Sequence, residues 1–429
     1  MKTKILAIIF LLLLVNDVYS QIKVESVGAK AEYDKAKVIL MHEPGNELFL
    51  GVIHPRAALF EDYFRPSVAA KEHRAYQKLL RKDNIKVYTI REILLDGTVN
   101  KANQAIEGRN LDSLRNFARK HFKIDPSLSS LKSIVSEGEY LDSIINKMHP
   151  TELVDILIHQ PEIILKSTDL NTGYAADYKV NPLMNLYFLR DQIITTSEGI
   201  VIGRLNSPQR RRESKIVKFC LEKIGIEPIG DIGDIKKEEG AFLEGGDFFP
   251  FGNTVFIGQG MRTTKTAIQY LMDKKLFGAE RVIVVKDILH DQSQMHLDTY
   301  FNIINKDLCV LETRRLEADE RDRMYLKADV YELKNGKYET VSTDKNFVEL
   351  LKNDLNLKII SASKEDFEEY GINFLTIDAG KIVVVKGVSE KYLEDLQNEG
   401  VEVLQIDFTN MKRGWGAAHC TTQVIKRKK

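Results

Sequence analysis

Apolar and polar positions along the chain repeat one order of periods: a short apolar or alternating run, a tight turn, a second such run, an amphipathic stretch, and a third run. That order predicts strand, turn, strand, helix, strand. Near the C-terminus it gives strands at 374–378 and 382–386 joined at Ala379-Gly380, a helix at 390–398 and a strand at 401–406. Earlier copies run through 191–196, 200–205, 211–224 and 227–229, and through 241–251, 254–258, 263–273 and 281–285. Another takes strands 329–333 and 338–342 around Asn335-Gly336, a helix at 345–354 and a strand at 357–361. The first copy is looser, with a strand at 37–42, a long loop, a helix at 68–82 and a strand at 85–90. Such a unit cannot bury its apolar face alone, so five of them predict an α/β fold closed as a five-bladed, pseudo-symmetric propeller. One residue from each unit could then converge at its centre.

The order breaks between residues 92 and 170. There the apolar period is near 3.6, in Leu111, Leu114, Phe117, Ala118 and Phe122, in Leu131 and Ile134, in Leu141, Ile144, Ile145 and Met148, and in Leu153, Ile156 and Leu157. The loss of strand character predicts an inserted helical subdomain at 92–170 within a catalytic domain of residues 21–429.

The N-terminus reads differently again. Lys2 and Lys4 precede an apolar run at 5–15, and Val18-Tyr19-Ser20 offers a cleavage site before Gln21. The run is shorter than the roughly 20 residues that span a bilayer. Residues 1–20 are therefore expected to be a cleaved signal peptide, with secretion or export across the membrane and no membrane attachment of the mature chain.

Composition narrows the partners. With 43% apolar and 29% charged residues the chain is globular, and 62 Lys plus Arg balance 62 Asp plus Glu. That balance supplies no field for nucleic acid or an anionic membrane. Three cysteines, Cys220, Cys309 and Cys420, are too few for a disulfide framework. Cys220 in a helix-like stretch and Cys309 in an apolar run read as small buried hydrophobes. Cys420 differs, because it follows Arg413-Gly414-Trp415-Gly416-Ala417-Ala418-His419, where a small-residue loop presents a thiol beside an imidazole.

Four motifs place polar groups within apolar sequence: Asn185-Leu186-Tyr187-Phe188-Leu189-Arg190-Asp191, Leu243-Glu244-Gly245-Gly246-Asp247, His296-Leu297-Asp298 and His419-Cys420. A thiol, a proton carrier and carboxylates are what nucleophilic catalysis by sulfur needs. Any one of these motifs alone reads more readily as a satisfied structural residue beside a strand. His290 and His296, six apart and without a third ligand in register, make poor metal-site candidates.

The ordered set resembles the arginine deiminases of the guanidino-group-modifying superfamily, whose members are five-bladed α/β propellers with a helical insertion. The opening Val38-Ile39-Leu40-Met41-His42-Glu43-Pro44-Gly45 is also similar to that family's first strand and turn, so the likeness spans nearly the whole chain after residue 20. The resemblance implies hydrolysis of free L-arginine to L-citrulline and ammonia, with no cofactor and no metal. It implies that Cys420 attacks the guanidinium carbon, that Asp191 and Asp298 grip the guanidinium N–H groups, and that His296, oriented by Glu244, moves the protons. It implies further that Arg210 and Arg262 hold the substrate carboxylate, that Asn185 and Phe188 contact its aliphatic part, and that Leu59 belongs to a lid. Arg210, in a run of three arginines at a helix start, also reads as solvated surface.

The chain departs from the family at Trp415, where the last loop commonly carries an arginine between glycines. That departure leaves open a deiminase of another guanidino compound or of arginine within peptides, and an amidinotransferase, which would use the same Cys and His, is left open by the motif order itself. A homo-oligomer is left open too.

Overall fold

The computed structural model describes residues 22–128, 137–169 and 174–428. The expected signal peptide and the Leu131–Ile134 stretch lie outside them. The described chain divides into two compact units, one of residues 25–90, 184–222 and 226–428, the other of residues 91–183 with 22–24 and 223–225.

The larger unit carries five sheets among its described residues, and all five share one pairing rule. In each, the first two strands are antiparallel and the second pairs with the third in parallel. The triplets are Ile193–Thr195, Ile200–Ile202 and Gly230–Asp231; Phe248–Phe251, Thr254–Gln259 and Arg281–Lys286; Phe301–Asn305, Leu308–Glu312 and Lys358–Ala362; Leu375–Asp378, Lys381–Val385 and Glu402–Ile406; and Gln423–Arg427, Ala36–Met41 and Lys86–Thr89. An antiparallel step closes with a tight turn, whereas a parallel step needs a crossover. Helices supply it, among them Pro66–Lys82, Glu213–Lys223, Lys265–Asp273 and Glu390–Asn398.

Three of the predicted copies are corrected. The first lacked a leading strand because that strand, Gln423–Arg427, comes from the other end of the chain and pairs with Ala36–Met41. In the fourth, the hairpin at 329–342 is real, with Asn335 and Gly336 both at positive φ in its turn. It nevertheless joins the neighbouring sheet, Val282 pairing with Tyr331, and extends that sheet to five strands. The sheet that receives Lys358–Ala362 is led by Phe301–Asn305 and Leu308–Glu312, whose Lys306-Asp307 turn has no glycine to announce it. In the third copy only Phe248–Phe251 of the predicted 241–251 is strand, because Gly245–Asp247 coils into a single 3-10 turn.

Central strands of the sheets are apolar on both faces, as parallel pairing with covering helices requires: Ile382, Val383, Val384 and Val385 are all buried. Phe249, Phe256, Phe301 and Phe347 meet edge to face in one cluster.

The smaller unit contains helices Arg109–Arg119, Glu137–Ile145 and Pro150–His159. The first buries Leu111, Leu114 and Ala118, the stripe that the 3.6 period predicts. Its expected purely helical character does not hold. Lys123–Leu128, Pro161–Ser167 and Tyr174–Val180 form a three-stranded sheet, with Pro161–Ser167 in the middle. Short apolar runs such as Ile163-Ile164-Leu165 do not distinguish strand from buried helix by periodicity alone. Among the described residues no helix is long and apolar enough to cross a membrane.

Candidate active site

All four motifs lie in the larger unit and are laced together by main-chain bonds. The Arg190 amide donates to the Cys420 carbonyl at 3.1 Å and the Gly245 amide to the Asp191 carbonyl at 3.1 Å. Leu297 N–H donates to Asp247 Oδ1 at 3.0 Å, joining the second motif to the third. This lacing dictates glycine at 245, where a Cβ would sit 2.1 Å from the Arg190 oxygen and 2.4 Å from the Ile193 oxygen. At Gly246 a Cβ would press to 2.8 Å on the His296 ring.

Eight of the ten predicted site residues line one cavity of about 20 Å³: Leu59, Asn185, Phe188, Asp191, Arg210, Arg262, His296 and Cys420. The other two stand directly behind it. Glu244 Oε2 lies 2.8 Å from His296 Nε2, and Asp298 Oδ2 lies 3.4 Å from Cys420 Sγ and 2.7 Å from His419 Nδ1. The cavity wall also contains Trp415, Gln292, Met295 and Gly414, of which the sequence had singled out only Trp415. Trp415 is at φ 72° between Gly414 and Gly416, and both glycines press on aromatic rings: a Cβ at 416 would approach Phe188 to 2.7 Å and the Cys420 Cβ to 2.9 Å.

The Leu59 segment is tied to this loop, since Glu61 N–H donates to the Arg413 carbonyl at 2.7 Å, and Leu59 itself adopts φ 62°. Asn185 anchors the same segment, its Nδ2 donating to the Ala58 carbonyl at 2.8 Å. Trp415 faces outward as well, onto a second cavity of about 610 Å³ that it shares with Glu61, Tyr370 and Arg413.

Arg210 is no surface residue. It is 4% exposed and fully engaged, its Nη1 2.7 Å from Asp191 Oδ2, its Nε and Nη2 on Glu213, and its Nη2 also on the Asn185 carbonyl at 3.3 Å. In this form the guanidinium expected to hold a carboxylate is bonded to two of the protein's own, Asp191 and Glu213. Arg262 donates from Nη2 to Gln292 Oε1 at 3.0 Å and reaches Glu244 Oε1 with Nη1 at 3.6 Å.

Burial penalises charge, and the neighbours decide what remains. Burial alone would depress the His296 imidazole, but Asp191, Glu244 and Asp247 reverse it and lift the pKa to about 9. Burial pushes the Cys420 thiol well above its ordinary value, and the charges of Asp298 and Asp191 push it further. Burial would raise the Glu244 carboxyl, yet Arg262 and His296 hold it low; His419 does the same for Asp298. Asp247, whose burial dominates, is lifted to about 7. Three carboxylate oxygens at the site, Asp191 Oδ1, Asp247 Oδ2 and Asp298 Oδ1, are buried without a hydrogen-bond partner among the described residues, and Asp191 Oδ1 lies 3.9 Å from His296 Nδ1. Orphaned acceptors of this kind are costly, roughly 1–3 kcal/mol each, and a donor-rich cation would relieve them.

Asp191, Glu244 and His296 also bring ligand atoms within 4.8 Å of one another, a grouping able to hold a cation. Arg210 on Asp191 and Arg262 beside Glu244 already supply positive charge there.

Sequence reasoning missed Asn373, Gln292 and the second layer behind His419. Glu32 is ion-paired with Arg427 and lies 3.6 Å from His419 Nε2, while the His419 ring stacks on Phe249 at 5.2 Å between centroids. Only the interruption of the apolar run Ile372-Asn373-Phe374-Leu375 by an amide could have pointed to Asn373.

The fold is shared with enzymes of known structure. SxtG, an amidinotransferase from Microseira wollei, superposes with a TM-score of 0.52 over 94% of this chain and 98% of its own, at 12% identity. DDAH from Pseudomonas aeruginosa, solved as a mutant complexed with citrulline, gives 0.53 over 92% and 100%, at 13% identity. More specifically, the family model for arginine deiminase matches residues 57–427, and the chain belongs to that family. Curated relatives include the arginine deiminases of Streptococcus pneumoniae strain CGSP14, 26% identical over 92% of this chain and 97% of that protein, and of Staphylococcus haemolyticus strain JCSC1435, 26% identical over 94% and 98%.

Proposed function

We propose that the protein hydrolyses L-arginine to L-citrulline and ammonia through a covalent bond to Cys420. One observation carries the site assignment: the thiol of Cys420, the imidazole of His296 and a carboxylate of Asp191 line one small cavity in a member of the arginine deiminase family. Arginine enters as a planar cation, and the unpartnered oxygens of Asp191 and Asp298 accept its N–H groups. The added positive charge offsets the two carboxylates that keep the thiol protonated, so the thiol proton leaves to solvent as substrate binds.

The thiolate then attacks the guanidinium carbon, forming the C–S bond and a neutral tetrahedral adduct. His296, an imidazolium below about pH 9, gives its proton to one nitrogen, which departs as ammonia and leaves an S-alkylthiouronium cation. The neutral His296 takes a proton from water, the hydroxide adds to the same carbon, and the thiolate is expelled as citrulline forms. The proton left over converts ammonia to ammonium. Glu244 orients the imidazole through its 2.8 Å contact throughout.

A cavity of about 20 Å³ holds one water, not an arginine. The Leu59 segment and the Trp415 loop, bonded through Glu61 and Arg413, therefore open to admit substrate. Opening frees Asp191 from Arg210, and Arg210 turns with Arg262 to the substrate carboxylate. The common pairing rule of the five sheets further supports closure of the larger unit as a five-bladed propeller, and the basic-then-apolar N-terminus supports export.

The test is a substrate panel of arginine, agmatine, methylarginines and a blocked arginine peptide, with no amine acceptor present. Release of ammonia and citrulline from arginine supports the reading; release only when an amine is added assigns amidino transfer instead.

A further inference from the structure

Among the groups that touch the reacting sulfur, one belongs to no motif. Asn373, 1% exposed, places Nδ2 3.1 Å from Cys420 Sγ. Its other bonds fix which end of the amide faces the sulfur. Oδ1 accepts from the Ala417 N–H at 2.9 Å and from the Cys420 N–H at 3.2 Å, so both of its lone pairs are used by donors. A flipped amide would set its NH2 against those two N–H groups. The NH2 end has two hydrogens and two acceptors, the Asp298 carbonyl at 3.1 Å and the sulfur. The Asn373 carbonyl in turn accepts the His419 N–H at 3.1 Å, so the residue is clamped to both sides of the nucleophile.

The sulfur thus sits between an acceptor and a donor. Asp298 Oδ2, at 3.4 Å, accepts a hydrogen from the thiol and disfavours its loss. The Asn373 N–H bonds a sulfur lone pair and strengthens as the sulfur becomes an anion, since a hydrogen bond to a charged acceptor is about twice as strong as a neutral one. A neutral amide cannot itself take the proton, so its effect is confined to stabilising and aiming the sulfur.

We infer that Asn373 is a further catalytic residue, which donates a hydrogen bond to the Cys420 thiolate and aims it at the guanidinium carbon. The inference rests on the Cys420 chemistry above. Burial and the nearby carboxylates all oppose the thiolate, and the Asn373 bond is the contact that favours it in the ligand-free site. Asn373 also holds the Ala417 and Cys420 amides in one bracket, so the loop that carries Trp415 ends on the same side chain that touches the nucleophile.

The test uses the full-length protein with Cys220→Ser and Cys309→Ser, so that Cys420 is the sole thiol. Asn373→Asp keeps the Oδ1 acceptor for the two loop amides but adds a charge beside the sulfur, so Asn373→Ala, which removes the donor without adding a charge, is measured beside it. Folding is checked by circular dichroism, and the rate of iodoacetamide alkylation is followed against pH alongside steady-state turnover. The expected result is a midpoint for alkylation at least about one pH unit higher, with kcat lower by about a hundredfold and KM within a fewfold. A purely structural role would lower kcat without moving the alkylation midpoint of the uncharged Asn373→Ala, and an unmoved midpoint in that variant overturns the inference.

If Asn373→Ala does not fold, side-chain amide nitrogen NMR on the single-thiol protein decides. One asparagine NH2 signal should follow the Cys420 titration and lose that response in Cys420→Ser; no such signal overturns the inference. Alkylation does not depend on turnover, so failure here is separable from failure of the reaction assignment, which retained turnover in Cys420→Ala would reveal.

Discussion

Cys420 and His296 line the same cavity, and the carboxylates around them act on the two groups in chemically opposite senses. On the imidazole side Asp191, Glu244 and Asp247 outweigh burial and keep the ring charged to about pH 9. On the thiol side Asp298 and Asp191 add to burial and keep the sulfur neutral. Without a ligand both groups hold their protons. In the proposed reaction that is the working form of a general acid for His296 and the resting form of a nucleophile for Cys420. Asp191 acts on both groups, and in the proposed reaction a guanidinium that pairs with it lessens one of the charges that oppose the thiolate while His296 stays protonated at neutral pH.

The largest effect follows from removing the thiol side altogether. Cys420→Ser should lower kcat on the order of 10⁶-fold, while Cys220→Ser and Cys309→Ser leave turnover in place, measured by citrulline formation. On the imidazole side, His296→Ala should cost about 10²–10⁴ in kcat, and wild-type activity should decline as pH rises through about 9. The stability sign runs the same way. The folded pKa of His296 exceeds that of a free imidazole, so its protonation stabilises the fold fully below about pH 6.5, and the gain is lost through about 9.

Arg262→Ala tests whether the cavity distinguishes substrates by their carboxylate. Specificity for arginine should fall about ten- to a hundredfold, with agmatine hardly affected; equal losses would place Arg262 in support of Glu244 and Gln292 alone.

The smallest effect belongs to Asp247. Asp247→Asn keeps an acceptor for Leu297 N–H and removes a charge that supports the imidazolium, so the alkaline limb of kcat should move down by under about one pH unit. Asp247 is raised to about 7, so its contribution to stability is present below the free carboxyl range and lost as pH rises through that value. The variant should accordingly gain in thermal stability over the wild type above pH 7, with melts at pH 5 and pH 9 as the check.

The repeat of strand, turn, strand, helix, strand was readable because each hairpin alternates apolar residues around Gly199, Gly252-Asn253 or Ala379-Gly380. Two things defeated it. Strand partnership across the ends of the chain, Gln423–Arg427 with Ala36–Met41, leaves no local trace, and the hairpin at 327–346 satisfies the local pattern while pairing with a different sheet. At the site, residues inside motifs were legible because polar groups stood out in apolar sequence. Asp298 and Glu244 were visible in the same way, but their place behind Cys420 and His296 depends on lacing between segments. Asn373 and Glu32 carry no motif, and only the fold brings them to the sulfur and to His419.

The comparison of the two sides stands or falls on when the Cys420 proton leaves. Stopped-flow mixing of the enzyme with arginine in weak buffer containing a pH indicator, read against rapid-quench citrulline, measures this directly. The account predicts about one proton released per site before the first citrulline forms, at a pH near neutral, and no such burst in Cys420→Ala. Citrulline formation without a preceding proton burst, or an equal burst from Cys420→Ala, would contradict it.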